Sequence, residues 1–233
     1  MFHWLRSDAC DFPHPLSVDA GGPIAIGGDL TPQRLLLAYA FGIFPWYHED
    51  QPIVWWYPDP RAVLVPSEVR ISDSMRSLIR KRPFEVRTDT CFREVIAQCR
   101  VIPRKGQRGT WIQPEIVEAY TALFEMGYAH SIEIFREDTL VGGLYGVALG
   151  KVFFGESMFS QVSNASKYAL IVLCRYLQSR DFELIDCQQD TAHLASLGAG
   201  LVSAETFHRI LQKNRMRPVD AGKWETQALP LFL

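Results

Sequence analysis

Residues 184–190 read LIDCQQD. Leu184 and Ile185 open like a buried strand, yet a carboxylate and an amide follow at once. Side chains alternate faces along a strand, so Asp186 and Gln188 are expected on one face and Cys187 on the other. A carboxylate can position an amine or take its proton. An amide can donate and accept hydrogen bonds but is no base at neutral pH. A hydrogen-bonded strand terminus would use the same two residue types. A second carboxylate, Glu156, sits with Ser157 inside an apolar run holding Phe153, Phe154, Met158 and Phe159. A buried carboxylate is costly unless paired or used. Gly142, Gly143, Gly146, Gly150 and Gly155 surround that run, and glycines in strands mark bulges or the close approach of another group. His193, near a helix start, reads as structural more than as a base. Cys10, Cys91, Cys99, Cys174 and Cys187 are odd in number, form no CxxC pair and have no His close in sequence. Zinc, a disulfide framework and cysteine catalysis are therefore not indicated.

A different chemistry is suggested by flat side chains beside cations. Trp46, Trp55, Trp56 and Trp111 lie in FPWY, WWYPDPR and GTWI, near a basic block. Between residues 70 and 108 there are eleven Lys and Arg against four Asp and Glu, a net of +7, in a chain whose total is −2. Aromatics beside Lys and Arg hold unpaired bases by stacking and phosphates by charge. For Trp55 and Trp56, core packing competes with that reading, since adjacent residues face opposite ways. Asp59 and Arg61 in PDPR suggest a local turn bridge.

The elements that must position these groups can be read coarsely. Thr31 as N-cap, Pro32 at the first helical position and Gly42 as stop define one helix in the N-terminal part. A short strand is expected over residues 53–57. Then come a strand in AVLVP, a helix in SDSMRSLIRKR, a strand in FEVRTD, a helix in CFREVIAQCR, a basic loop in RKGQRGTWI, and a helix closed by Gly127. A hairpin AHSIEIFRED/TLVGGLYGVALG continues into KVFFGESMFS. A long helix capped by Asn164 or Ser166, the strand FELIDCQ and a last helix AETFHRILQKN complete the chain. This is an α+β chain with one mixed sheet. With 233 residues, 48% hydrophobic and 21% charged, it can bury a core. No apolar run reaches the about 18 residues a membrane span needs, and no signal peptide is evident. Reduced thiols suit a cytoplasmic protein. Neither a P-loop nor a G-x-G-x-x-G motif is present.

In order along the chain, GGDL, GIFPW, WWYPDPR, GTWI, AHSIE, VGGLYGVALGKVFFGESMFS, NASK, LIDCQ and HLASLGA resemble the bacterial leucyl/phenylalanyl-tRNA–protein transferases. The resemblance implies a small N-terminal domain (1–61) and a GNAT-like acyltransferase domain (62–233). It implies transfer of Leu or Phe, and less well Met, from aminoacyl-tRNA to proteins beginning with Arg or Lys, which then enter N-degron degradation. The donor would be Leu-tRNA or Phe-tRNA, with no metal, ATP or CoA. The acetyl-CoA phosphate loop [QR]-x-x-G-x-[GA] is absent, in keeping with that donor. The resemblance places Trp46 and Trp111 on the 3′ adenosine. It places Leu144, Phe153, Gly155, Met158, Leu170 and Ile185 around the aminoacyl side chain, and Glu156, Asp186 and Gln188 in the chemistry. Arg76, Arg80, Lys81 and Arg82 would meet the tRNA acceptor stem. A monomer is expected. The rivals are a non-catalytic RNA-binding protein, which would not need the three polar residues together, and an acetyl-CoA-dependent acetyltransferase.

Overall fold

The computed structural model describes residues 3–17, 21–103, 110–215, 217–218 and 221–226. Most of the expected basic loop, residues 104–109, lies outside them. The strands β1 (His3–Leu5), β2 (Pro23–Gly27), β3 (Phe44–Pro45) and β4 (Val54–Trp56) form a sheet in the order β1-β2-β4-β3. Helix α1 (Pro32–Ala40) is inserted after β2; Thr31 is its N-cap and Gly42, at φ +77°, follows its end. The sequence suggests one sheet only. β1, β2 and β3 are two to five residues long, too short for a period-2 pattern to show.

A seven-stranded mixed sheet follows. Its strands are β5 (Arg61–Leu64), β6 (Glu85–Thr88), β7 (Ala129–Arg136), β8 (Thr139–Leu149), β9 (Val152–Ser160), β10 (Leu184–Gln188) and β11 (Gly200–Val202), in the order β11-β5-β10-β9-β8-β7-β6. Helices α2 (Asp73–Lys81), α3 (Phe92–Val101), α4 (Pro114–Glu125), α5 (Ala165–Ser179), α6 (Ala192–Ser196) and α7 (Ala204–Asn214) complete the chain. α2 starts at Ser72, whose hydroxyl accepts the Met75 N–H at 3.3 Å. α5 starts where expected but is capped differently. Asn164 is its N-cap but makes no side-chain cap. The Ser166 N–H instead donates to the Ser160 hydroxyl at the end of β9, 3.2 Å away. A residue six positions upstream supplies the cap, which no local pattern marks.

Apolar residues pack on both faces of the large sheet. Phe154 and Phe159 of β9 join α3, α4, α7 and the N-terminal Tyr39 and Trp55 in one core. Phe153, Leu144 and Ile185 join α5 and Met75 of α2 in the other. The first core runs without a break from the small sheet into the large one. Arg61, the last residue of the small domain that the resemblance implies, is the first residue of β5. Among the described residues no helix is long and apolar enough to cross a membrane.

Candidate functional site

β9 and β10 run parallel, paired at Val152–Leu184, Phe153–Ile185 and Phe154–Asp186. Immediately beyond, both strands are irregular. On β9, Gly155 faces Gly146 and Ser157 faces Tyr145, so Glu156 is left over in a bulge. On β10 the register against β5 shifts between Asp186 and Gln188, and Gln188 has φ +61°. Bulges bend a strand and re-aim its side chains. Here the two strands part, and a cavity of about 300 Å³ occupies the gap.

The cavity brings together residues that lie far apart in sequence. Leu144 of β8, Phe153, Gly155 and Met158 of β9, Leu170 of α5 and Ile185 of β10 line it. So do Trp46, Trp111, Glu156, Asp186 and Gln188. Trp46 is held just past β3: its N–H donates to the Val54 carbonyl at 2.9 Å and its carbonyl accepts the Trp56 indole N–H at 2.7 Å. Both Trp46 and Trp111 are half-buried. Trp55 is fully buried and donates its indole N–H to Gly27; it is core. Arg76, Arg80, Lys81 and Arg82 do not line the cavity. They belong to α2 and its C-terminal cap and are exposed. His193, from the short α6, also lines the cavity; burial and then Lys167 lower its pKa.

The polar end of the cavity centres on Glu156, 8% exposed. The Tyr39 hydroxyl donates to Glu156 Oε1 at 2.7 Å, and the Tyr120 hydroxyl to Oε2 at 3.1 Å. Gln188 Nε2 donates to Oε1 at 3.0 Å. The two tyrosine hydroxyls also contact each other. Burial raises the Glu156 carboxyl, the two tyrosine bonds oppose it, and the net result is a pKa of about 7. Burial, with the Glu156 charge next, pushes both phenols well above their ordinary range, so they remain donors. Sequence reasoning misses Tyr39 and Tyr120. On α1 and α4 they look like any inward-facing aromatic, and only the docking of those helices sets their hydroxyls on one carboxylate.

Asp186 is wholly buried and bound on both oxygens. Arg61 Nε donates to Oδ1 at 2.8 Å and Arg61 Nη2 to Oδ2 at 2.7 Å. The Gln188 backbone N–H donates to Oδ1 at 2.9 Å. The expected turn bridge between Asp59 and Arg61 is therefore not formed. Asp59 instead accepts the Ala204 N–H at 3.0 Å, and Arg61 crosses to β10 while also holding the Gly42 carbonyl at 2.8 Å. The facing expected over 186–188 survives the bulge: Asp186 and Gln188 lie on the side of Arg61 and Glu156, while Cys187 packs on the other side against the α5 core. Burial and the Asp186 charge push the Cys187 thiol up, keeping it protonated.

Comparison with known proteins agrees with the resemblance. The family model described as leucyl/phenylalanyl-tRNA protein transferase matches residues 63–212, and that of the same family's N-terminal domain matches 28–59. The leucyl/phenylalanyl-tRNA–protein transferase of Aromatoleum aromaticum is 57% identical over 229 residues, 97% of this chain and 96% of its own. That of Nitrosospira multiformis is 52% identical over 214 residues, 91% and 92% of the two chains. The solved structure of L-PGS from Bacillus licheniformis covers 80% of this chain and 62% of its own, with 12% identity and a TM-score of 0.41. With family models covering most of its length and relatives above half identity, the chain belongs to the leucyl/phenylalanyl-tRNA–protein transferase family.

Proposed function

We propose that the cavity receives the aminoacyl end of Leu-tRNA or Phe-tRNA, and less well Met-tRNA, and that its amino acid is passed to the N-terminal Arg or Lys of an acceptor protein. The tagged protein would then enter N-degron degradation. The observation that carries this reading is a single cavity lined by an apolar wall, two half-buried tryptophans and a part-buried Glu156–Gln188 hydrogen bond. The apolar wall suits Leu and Phe alike, because a hydrophobic pocket separates side chains differing by one methylene only about 10–200-fold. Trp46 and Trp111 suit an unpaired adenine by stacking. The splayed parallel pair in a mixed sheet is read as a GNAT-type acyltransferase core. Residues 1–61 are read as a small N-terminal domain and 62–233 as the catalytic one, acting as a monomer in the cytoplasm.

The reaction is aminolysis of an ester. The donor carries its own activation, so the reading calls for no ATP, CoA or metal. The acceptor amine has an ordinary pKa of about 8 and must be neutral to attack. Its nitrogen bonds to the ester carbonyl carbon and gives up a proton. Glu156, with a pKa of about 7, is matched to accept it near neutral pH. The carbon–oxygen bond to the ribose then breaks, and the proton on Glu156 passes to the departing 3′ oxygen. Gln188 has one amide hydrogen on Glu156 and keeps its carbonyl oxygen to hold the incoming amine. Asp186, saturated by Arg61 and the Gln188 N–H, positions Gln188 and does not itself take the proton. With Asp186 neutralised by Arg61, the charge of Glu156 is the one that favours an acceptor whose first residue is a cation.

The test is transfer of labelled Leu from charged tRNA to a protein beginning with Arg, using wild type, Glu156→Gln and Gln188→Ala, with charged-tRNA binding measured in parallel. Transfer lost and binding retained supports the reading. Tight tRNA binding with no transfer by wild type would favour an RNA-binding protein instead.

A further inference from the structure

The family models match no residue beyond 212, yet residues 221–226 are fixed on the protein by hydrogen bonds to separate elements. The Gly222 N–H donates to the Gly127 carbonyl at 3.1 Å. Gly127 has φ +78°, and a Cβ there would lie 2.4 Å from the Gly222 nitrogen, so this crossing requires glycine. The Trp224 N–H donates to Asp89 Oδ2 at 2.7 Å, and its carbonyl accepts the Thr88 hydroxyl at 3.1 Å. Asp89 is itself held by His130 Nδ1 at 2.8 Å and by the Ser131 N–H at 2.8 Å.

This backbone clamp sets the indole of Trp224 into the core shared with the cavity wall. Its ring stacks on His130 with centroids 4.0 Å apart and planes 7° apart. It packs on Tyr176 of α5 at 4.5 Å and on Phe153 at 5.8 Å. Phe153 lines the cavity. The ring is also constrained by β8, since a Cβ on Gly146 would meet it at 2.6 Å. The ring is therefore packed against both the glycine surface of β8 and the indole. A close-packed interior gives such a ring nowhere to go until one neighbour is removed.

We infer that Trp224, brought in by the C-terminal strap, is a specificity-determining residue: it braces Phe153 from behind and so sets the depth of the aminoacyl side-chain pocket. The inference rests on the aminoacyl-site reading above. Removing the indole leaves a void behind Phe153, the ring can retreat into it, and the pocket gains room for a larger side chain. Phe then gains on Leu.

The experiment measures dissociation constants for leucyl- and phenylalanyl-adenosine analogues with an amide in place of the ester, beside transfer of Leu and Phe from charged tRNA. The expected result for Trp224→Ala is a shift of roughly tenfold in the affinity ratio towards Phe, the low end of what one methylene of pocket volume gives. Trp224→Phe should restore the wild-type ratio. In a Phe153→Ala background, Trp224→Ala should no longer move it. An unchanged ratio, with both affinities falling together, overturns the inference and leaves the strap as a stabilising tether only. If thermal unfolding shows that Trp224→Ala does not fold, Trp224→Leu takes its place under the same criteria. Wild type that binds both analogues but transfers neither amino acid would sink the proposed function, while the affinity ratio still decides the role of Trp224.

Discussion

Glu156 is a carboxylate held in burial by three donors, and its pKa of about 7 has two consequences of known sign. In the proposed role of base it is inactive when protonated, so transfer should fall as pH drops through 7. Glu156→Gln should be slow at every pH and lack that limb; a pH–rate profile checks this. For stability, the folded pKa stands above the ordinary 4.5. The native state then binds the extra proton between these values. Stability from this group is fully present below about pH 4.5 and is lost as pH rises through 7. Glu156→Gln should therefore flatten the pH dependence of the denaturant midpoint over that window. Arg61 and Asp186 pose a different problem. Each is buried at 1% exposure or less, and removing one strands the other charge, at a cost of about 3–5 kcal/mol. Asp186→Ala and Arg61→Met should each show a loss of this order in urea unfolding. The double variant Arg61→Met/Asp186→Leu should regain most of it and still fail to transfer, because Gln188 has lost its anchor.

At the level of elements, the site exists because β9 and β10 stop pairing. Two glycines on facing strands serve that arrangement in opposite ways. A Cβ on Gly146 would lie 2.2 Å from the Phe154 carbonyl oxygen and 2.6 Å from the Phe153 ring. Gly146→Ala should cost about 1–3 kcal/mol of stability as the bulge and the ring are displaced. A Cβ on Gly155 would come no nearer than 3.4 Å to the Asp186 carbonyl oxygen, an ordinary contact. Gly155→Ala should keep its unfolding free energy within the small range of surface changes, about 0.5 kcal/mol. Since Gly155 lines the cavity, the same change should reduce transfer by narrowing the pocket. A Gly155→Ala protein that is strongly destabilised would show that the glycine serves the bulge instead.

On the scale of the whole molecule, charge and core are divided. The cations of α2 and its cap lie away from the cavity, so they fit a polyanion held outside the chemical site. Replacing Arg76, Arg80, Lys81 and Arg82 with Ala should weaken tRNA binding. It should also lower the slope of log affinity against log salt by about one unit for each phosphate no longer neutralised. The ratio of Leu to Phe transfer should not move, because none of the four lines the aminoacyl pocket. An unchanged salt slope would remove α2 from the tRNA-binding surface. The continuous core joining Tyr39 and Trp55 to Phe154 makes the small sheet part of the same packing unit as the large one. Through it, Tyr39 reaches Glu156 and Trp46 lines a cavity built mainly by β8, β9, β10 and α5.

How far the sequence reaches follows from the range of the forces involved. Helix limits are legible at α1, α2 and α4, where Pro, Ser and Gly act within a few residues. The long hairpin of β7 and β8 is legible from its alternation and turn. Glu156 and the Asp186–Gln188 pair stand out because polar groups break apolar runs, and such breaks are costly enough to carry meaning. Their partners are not legible. Local spacing pairs Arg61 with Asp59 two residues away, yet Arg61 binds Asp186 across the β5–β10 ladder. The bulge on β10 and the φ of +61° at Gln188 are not legible either, although the shared facing of Asp186 and Gln188 is. Tyr39 and Tyr120 reach Glu156, and Trp224 reaches Phe153, only through tertiary docking. By itself, the sequence determined local turns, periodicity and the presence of unusual buried polar groups. The tertiary structure alone decided which groups meet, because a contact between distant residues depends on how whole elements pack and not on the letters around either one.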